Sequence, residues 1–137
     1  MKNIHQYAWI LLFFVGLALA FYAYDNLVVI QSLDPADPNR GWAWLTTDPD
    51  VIEYIKFLFI ILGYWVLAVS IFVLVISSTG YRKGERWAWY SLLYLPIHII
   101  IHIMLWPWLA PALFVVLLIV IVGLALPFRI FFPRTEN

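Results

Sequence analysis

Two histidines four residues apart, His98 and His102, sit in a stretch made mostly of Leu and Ile. With Ser91 and Tyr94 they form the one polar stripe in the chain's long apolar runs. On a helix turning about 100° per residue, Ser91, His98 and His102 fall within about 40° of one another, and Tyr94 flanks them. Rings at i and i+4 address a single point, which is metal-ligand spacing. Asp25 and Glu53, expected in the same half of the membrane, are the further candidate ligands, and imidazole plus carboxylate suits zinc, copper or iron. Two other readings compete. One is a protonatable pair or a small-ligand pocket lined by Tyr64, Ser91 and Tyr94, because ionisable groups inside spans favour function. The other is packing, with two neutral histidines hydrogen-bonding to neighbouring helices. A bis-histidine haem is disfavoured, since its axial ligands approach from opposite faces and these rings share one. His5, the third histidine, belongs to the opposite membrane face.

The elements that must position this stripe follow from hydropathy. Of the 137 residues, 65% are hydrophobic and 12% charged. Soluble domains average about 45–50% and about 25%. A bilayer-spanning helix needs roughly 20 apolar residues. Four runs satisfy that, at about 7–30, 51–77, 86–106 and 108–127, with an outer loop over 31–50. The expected fold is therefore a single all-α domain: an antiparallel bundle of four transmembrane helices. Lys2 and Ala18-Leu19-Ala20 imitate a signal peptide, but the apolar pattern continues through Phe21–Tyr24, which reads as an uncleaved first span. Gly16 and Ala20 form a small-xxx-small pair suited to close helix approach.

Charge sets the expected orientation. Lys2, Arg82, Lys83, Arg86, Arg129 and Arg134 are six of the eight basic residues, and all fall on one side of that layout. The other side carries Asp25, Asp34, Asp37, Asp48, Asp50 and Glu53. By the positive-inside rule both termini are cytoplasmic. Arg82, Lys83 and Arg86 then stand at lipid headgroups, with Trp87, Trp89 and Tyr90 below them in an aromatic belt. Asp48-Pro49 reads as an N-cap and first helical residue for span two. Ser77-Ser78-Thr79-Gly80 reads as its stop. Pro127 ends span four, and the short uncharged connector Trp106–Pro111 makes spans three and four neighbours.

Zero net charge gives no reason to expect nucleic acid as a partner. The absence of cysteine excludes thiolate metal sites, iron–sulfur clusters and thiol catalysis. Phosphate loops, nucleophile elbows and the multiple His boxes of membrane di-iron enzymes are missing, so no catalytic residue is assigned.

The string Arg82-Lys83-Gly84-Glu85-Arg86-Trp87-Ala88-Trp89 resembles a turn in small four-span prokaryotic membrane proteins, some loosely grouped as DoxX-like. The resemblance covers about a dozen residues. It implies a prokaryotic inner membrane and an up-down bundle, and brings no activity with it. The leading expectation is a non-catalytic accessory or assembly subunit, with the bilayer and other membrane subunits as partners. The alternative is a metal- or small-ligand-binding protein using His98 and His102.

Overall fold

The computed structural model describes residues 7–37, 45–105 and 110–133. Among them the chain is helical, with no strand. Four helices are long and apolar enough to cross a membrane: α1 (Ala8–Ser32), α2 (Pro49–Tyr81), α3 (Arg86–Met104) and α4 (Pro111–Phe131). Residues 38–44 of the outer loop and the Trp106–Leu109 part of the connector lie outside the described residues, as do Lys2, His5 and Arg134.

By contacts the chain divides into two compact units, Ala18–Ile71 and Met1–Leu17 with Phe72–Asn137. The core of the second is apolar: Leu12, Val73, Ala88, Leu92 and Val120 are fully buried. Lipid tails are as apolar as these side chains, so close packing and hydrogen bonds, rather than water exclusion, hold such helices together. Gly16 provides one close approach, as its spacing suggests. A Cβ there would come within 2.8 Å of Leu74 Cγ.

The Ala18–Ile71 unit is a helix pair with a polar clasp. Asp34 Oδ1 accepts the Ala36 N–H at 2.9 Å in a turn, as an Asp-Pro pair favours. Asp48 Oδ1 accepts the Asp50 N–H at 3.0 Å, so Asp48 caps α2 as its sequence context predicts. Lys56 Nζ donates to the carbonyls of Gln31 and Leu33 at 3.2 and 3.3 Å, covering the exposed end of α1. Gln31 Nε2 returns the contact by donating to the Lys56 carbonyl at 3.0 Å. Lys56→Met keeps the alkyl stem and removes both ammonium bonds. It is expected to lower stability by about 1.5–3 kcal/mol, the usual worth of a hydrogen bond to a charged group. Thermal unfolding in mild detergent checks this, and Lys56→Arg should recover most of the loss.

Two boundaries differ from expectation. Ser77–Gly80 does not stop α2, which continues to Tyr81 through a π-helical turn (Ser77–Tyr81). The hydroxyls bond backwards into the helix: Ser77 and Ser78 to the Leu74 carbonyl at 3.2 and 2.6 Å, Thr79 to the Val75 carbonyl. They thereby satisfy themselves inside the helix instead of ending it. Gly80 is a contact point, since Trp87 and Ala88 occupy the space of its missing Cβ. The stop is Gly84, whose φ of 76° is left-handed. Glu85 N–H bonds to Gly80 O at 2.9 Å and Gly84 N–H to Tyr81 O at 3.0 Å, the paired bonds of a Schellman cap.

The second difference is at proline. In α3 the helix is interrupted at Leu93, between Arg86–Leu92 and Tyr94–Leu105. Pro96 has no N–H to offer the Leu92 carbonyl. The Leu93 N–H is shared between the carbonyls of Trp89 and Tyr90, both at 3.2 Å. In α4, Pro127 ends the α-helix Ala110–Ala125 as expected, but a further turn, Phe128–Phe131, follows it.

Candidate functional site

The polar stripe of α3 is a connected ladder. Tyr94 Oη and His98 Nδ1 are hydrogen-bonded at 2.9 Å. His102 Nδ1 lies 3.0 Å from the His98 carbonyl. A carbonyl can only accept, so His102 carries a proton on Nδ1. The two imidazoles stack with centroids 4.3 Å apart and planes at 48°, and the Tyr94 ring lies 5.2 Å from His98. Helical i, i+4 spacing produces each of these contacts. Tyr94 is 46% exposed, and Ser91, His98 and His102 are half-buried. The stripe therefore runs along a face open at Tyr94 rather than through a sealed core.

No protein-family model, curated protein or solved structure matches this chain.

The other candidate ligands lie in the Ala18–Ile71 unit. Asp25 sits in a π-helical turn (Asp25–Val29), and Asp25 and Glu53 are both exposed. Tyr64 is 63% exposed. Among the described residues no three His, Asp or Glu side chains gather as a metal-holding group.

The three headgroup arginine and lysine candidates take two different roles. Arg82 and Lys83 are exposed on the turn after α2. Arg86 is exposed as well, but it also ties to the end of α4: its Nε donates to the Phe131 carbonyl at 2.9 Å and its guanidinium lies 5.6 Å from the Phe132 ring centroid.

That contact belongs to a constellation that residue types and spacing alone do not announce. Gly123 has Pro127 four residues ahead, so its carbonyl lacks a helical N–H. Tyr81 Oη donates to that carbonyl at 2.6 Å. Trp89 Nε1 donates to the next carbonyl, Leu124, at 3.0 Å. With Arg86 on Phe131, three side chains from the 81–89 segment serve three carbonyls at the broken end of α4. Membrane interiors supply no water to such groups, so protein must. Trp87 instead is half exposed, with its Nε1 donating to Glu85. The signal available in the sequence was Pro127 itself, which announces unpaired carbonyls but not which side chains meet them.

Asn26 is a further polar residue that nothing in its sequence surroundings singles out. It is fully buried, and its Nδ2 donates to the Tyr22 carbonyl at 2.7 Å. Its Oδ1 has no hydrogen-bond partner among the described residues.

Proposed function

We propose that this protein is a non-catalytic accessory or assembly subunit of a larger membrane complex, engaged through the α3 stripe. The observation that carries the reading is the Tyr94–His98–His102 ladder on a partly exposed face of an apolar helix. Polar and ionisable groups within a span are costly against lipid and are normally turned toward protein or a polar cavity. A partner helix with its own hydrogen-bonding side chains removes that cost. The proposed arrangement is an antiparallel bundle in a prokaryotic inner membrane, with both termini and the Arg82–Arg86 turn in the cytoplasm. The resemblance of that turn to those of small four-span prokaryotic proteins supports the same setting.

A second reading rests on the 4.3 Å approach of the two imidazoles. It makes the pair part of a metal or small-ligand site completed by groups from the partner.

Affinity purification from native membranes in mild detergent separates the readings. The wild type is expected to bring down a defined set of membrane subunits. The His98→Leu, His102→Leu double variant is expected to lose at least about 90% of that recovery, a shift of about 1.4 kcal/mol or more per tenfold. Metal analysis of the same samples tests the second reading. About one metal per chain in the wild type, absent from the double variant, would establish it. Recovery of the same partners by the double variant would sink the accessory-subunit interface on α3.

A further inference from the structure

We infer that the ends of the helices around the 81–84 turn form a specific binding site for a phosphate-bearing anion, supplied by the headgroup of an anionic phospholipid. A cavity of about 500 Å³ opens there. Tyr7 and Trp9 from the start of α1, Arg82, Lys83 and Gly84 from the turn, and Phe131 from the end of α4 are among its walls. This inference is independent of the α3 interface and of which side of the membrane the turn occupies. It needs only the headgroup level, where the start of α1, the end of α2, the start of α3 and the end of α4 meet.

Four observations make it a built site rather than a basic patch. First, the turn is fixed by its Schellman bonds and by the left-handed Gly84, so the backbone beneath both cations is set in advance. Second, the Arg82 guanidinium rests 5.1 Å from the Trp9 ring centroid. Such stacking holds a guanidinium by cation–π attraction and leaves its N–H edge available to phosphate oxygens. Third, Glu85, the acid that follows the turn in sequence, accepts from Trp87 Nε1, and among the described residues neither Arg82 nor Lys83 forms an ion pair. Among the described residues no Asp or Glu lines the cavity. Fourth, the remaining wall is apolar, with Pro127, Ile130 and the buried Phe131 beside the cations. A phosphodiester with a glycerol and the start of an acyl chain matches that division. Inorganic phosphate matches the cationic half alone.

The test is native mass spectrometry of the full chain in mild detergent, titrated separately with phosphatidylglycerol, phosphatidylcholine and inorganic phosphate. The wild type is expected to retain one phosphatidylglycerol more tightly than phosphatidylcholine. Each basic residue near a membrane surface contributes about 1 kcal/mol, so Arg82→Gln with Lys83→Gln should weaken that retention by about tenfold or more. Arg129→Gln, which removes a charge from outside the cavity, should leave it unchanged, and Arg82→Lys with Lys83→Arg should largely preserve it. Unchanged unfolding temperature in the Gln variant shows that the loss is not a folding defect. Equal retention of the two lipids, or equal loss in Arg129→Gln, overturns the site. Saturation by inorganic phosphate with no added retention of phosphatidylglycerol overturns the lipid as its source.

Discussion

Tyr81→Ala is expected to cost about 3–5 kcal/mol of stability, as aromatic truncations in a packed interior do. Tyr81→Phe should cost about 1–3 kcal/mol, the penalty for leaving a buried acceptor without its donor. The ring is 4% exposed and lies 4.8 Å from the Phe131 ring centroid, so the alanine variant loses packing and hydrogen bond together. The phenylalanine variant loses the hydrogen bond to Gly123 O alone. What makes this acceptor vulnerable is Pro127, which has no N–H to return to it. The two residues must therefore be coupled. Pro127→Ala restores an N–H to the position that Gly123 O lacks, and it should make Tyr81→Phe nearly harmless. Unfolding of the four proteins of that cycle in mild detergent, followed by tryptophan fluorescence, measures the coupling directly. A coupling energy near zero would mean that the tyrosine does not replace the missing helical bond.

The same cluster shows what one sequence makes legible. The four spans rest on apolar length, which a bilayer demands of any spanning helix, and the described helices have that length. The Asp48 cap and the Asp34 turn rest on bonds between residues two apart, and both are present. The Tyr94–His98–His102 ladder rests on helical periodicity, and its i, i+4 contacts appear. Several of the features that failed to show depend on a partner far along the chain. Arg86 was grouped with Arg82 and Lys83 because all three are cations beside a span. What separates it is Phe131, 45 residues away. Trp89 and Trp87 are equivalent as belt residues until Leu124, 35 residues from Trp89, supplies an acceptor. Ser77–Gly80 looks like a stop because those residue types favour leaving a helix. Their hydroxyls instead find acceptors one turn back, and Gly80 is needed for contact with Trp87 and Ala88. Pro127 is readable as a break. What a break is for depends on the side chains brought to it.

Gly63→Ile is expected to be the most damaging single change in the Ala18–Ile71 unit, at about 3 kcal/mol or more, the upper end of overpacking penalties. A Cβ at Gly63 would come within 2.6 Å of Leu27 Cγ and 3.2 Å of Asn26 Cβ. Leu27 can swing aside, but the Asn26 Cβ is fixed to a backbone already wound into a π-helical turn, so α1 and α2 must separate. Separation also strains the clasp between Gln31 and Lys56, whose bonds bridge the same two helices. In lipid there is little hydrophobic penalty to hold parted helices together, which is why small residues matter at such contacts. Gly63→Ala offers a graded comparison. It gains about 1 kcal/mol of helix propensity against the cost of a clash, so its net loss should be small. Because Leu27 presents the two closest atoms, Leu27→Ala should relieve part of the Gly63→Ile defect, although it costs stability in the wild type. Thermal unfolding of the single and double variants reads this out. If Gly63→Ile unfolds at the wild-type temperature, α1 and α2 do not meet at this glycine. If Leu27→Ala and Gly63→Ile simply add, they meet through some other pair of residues.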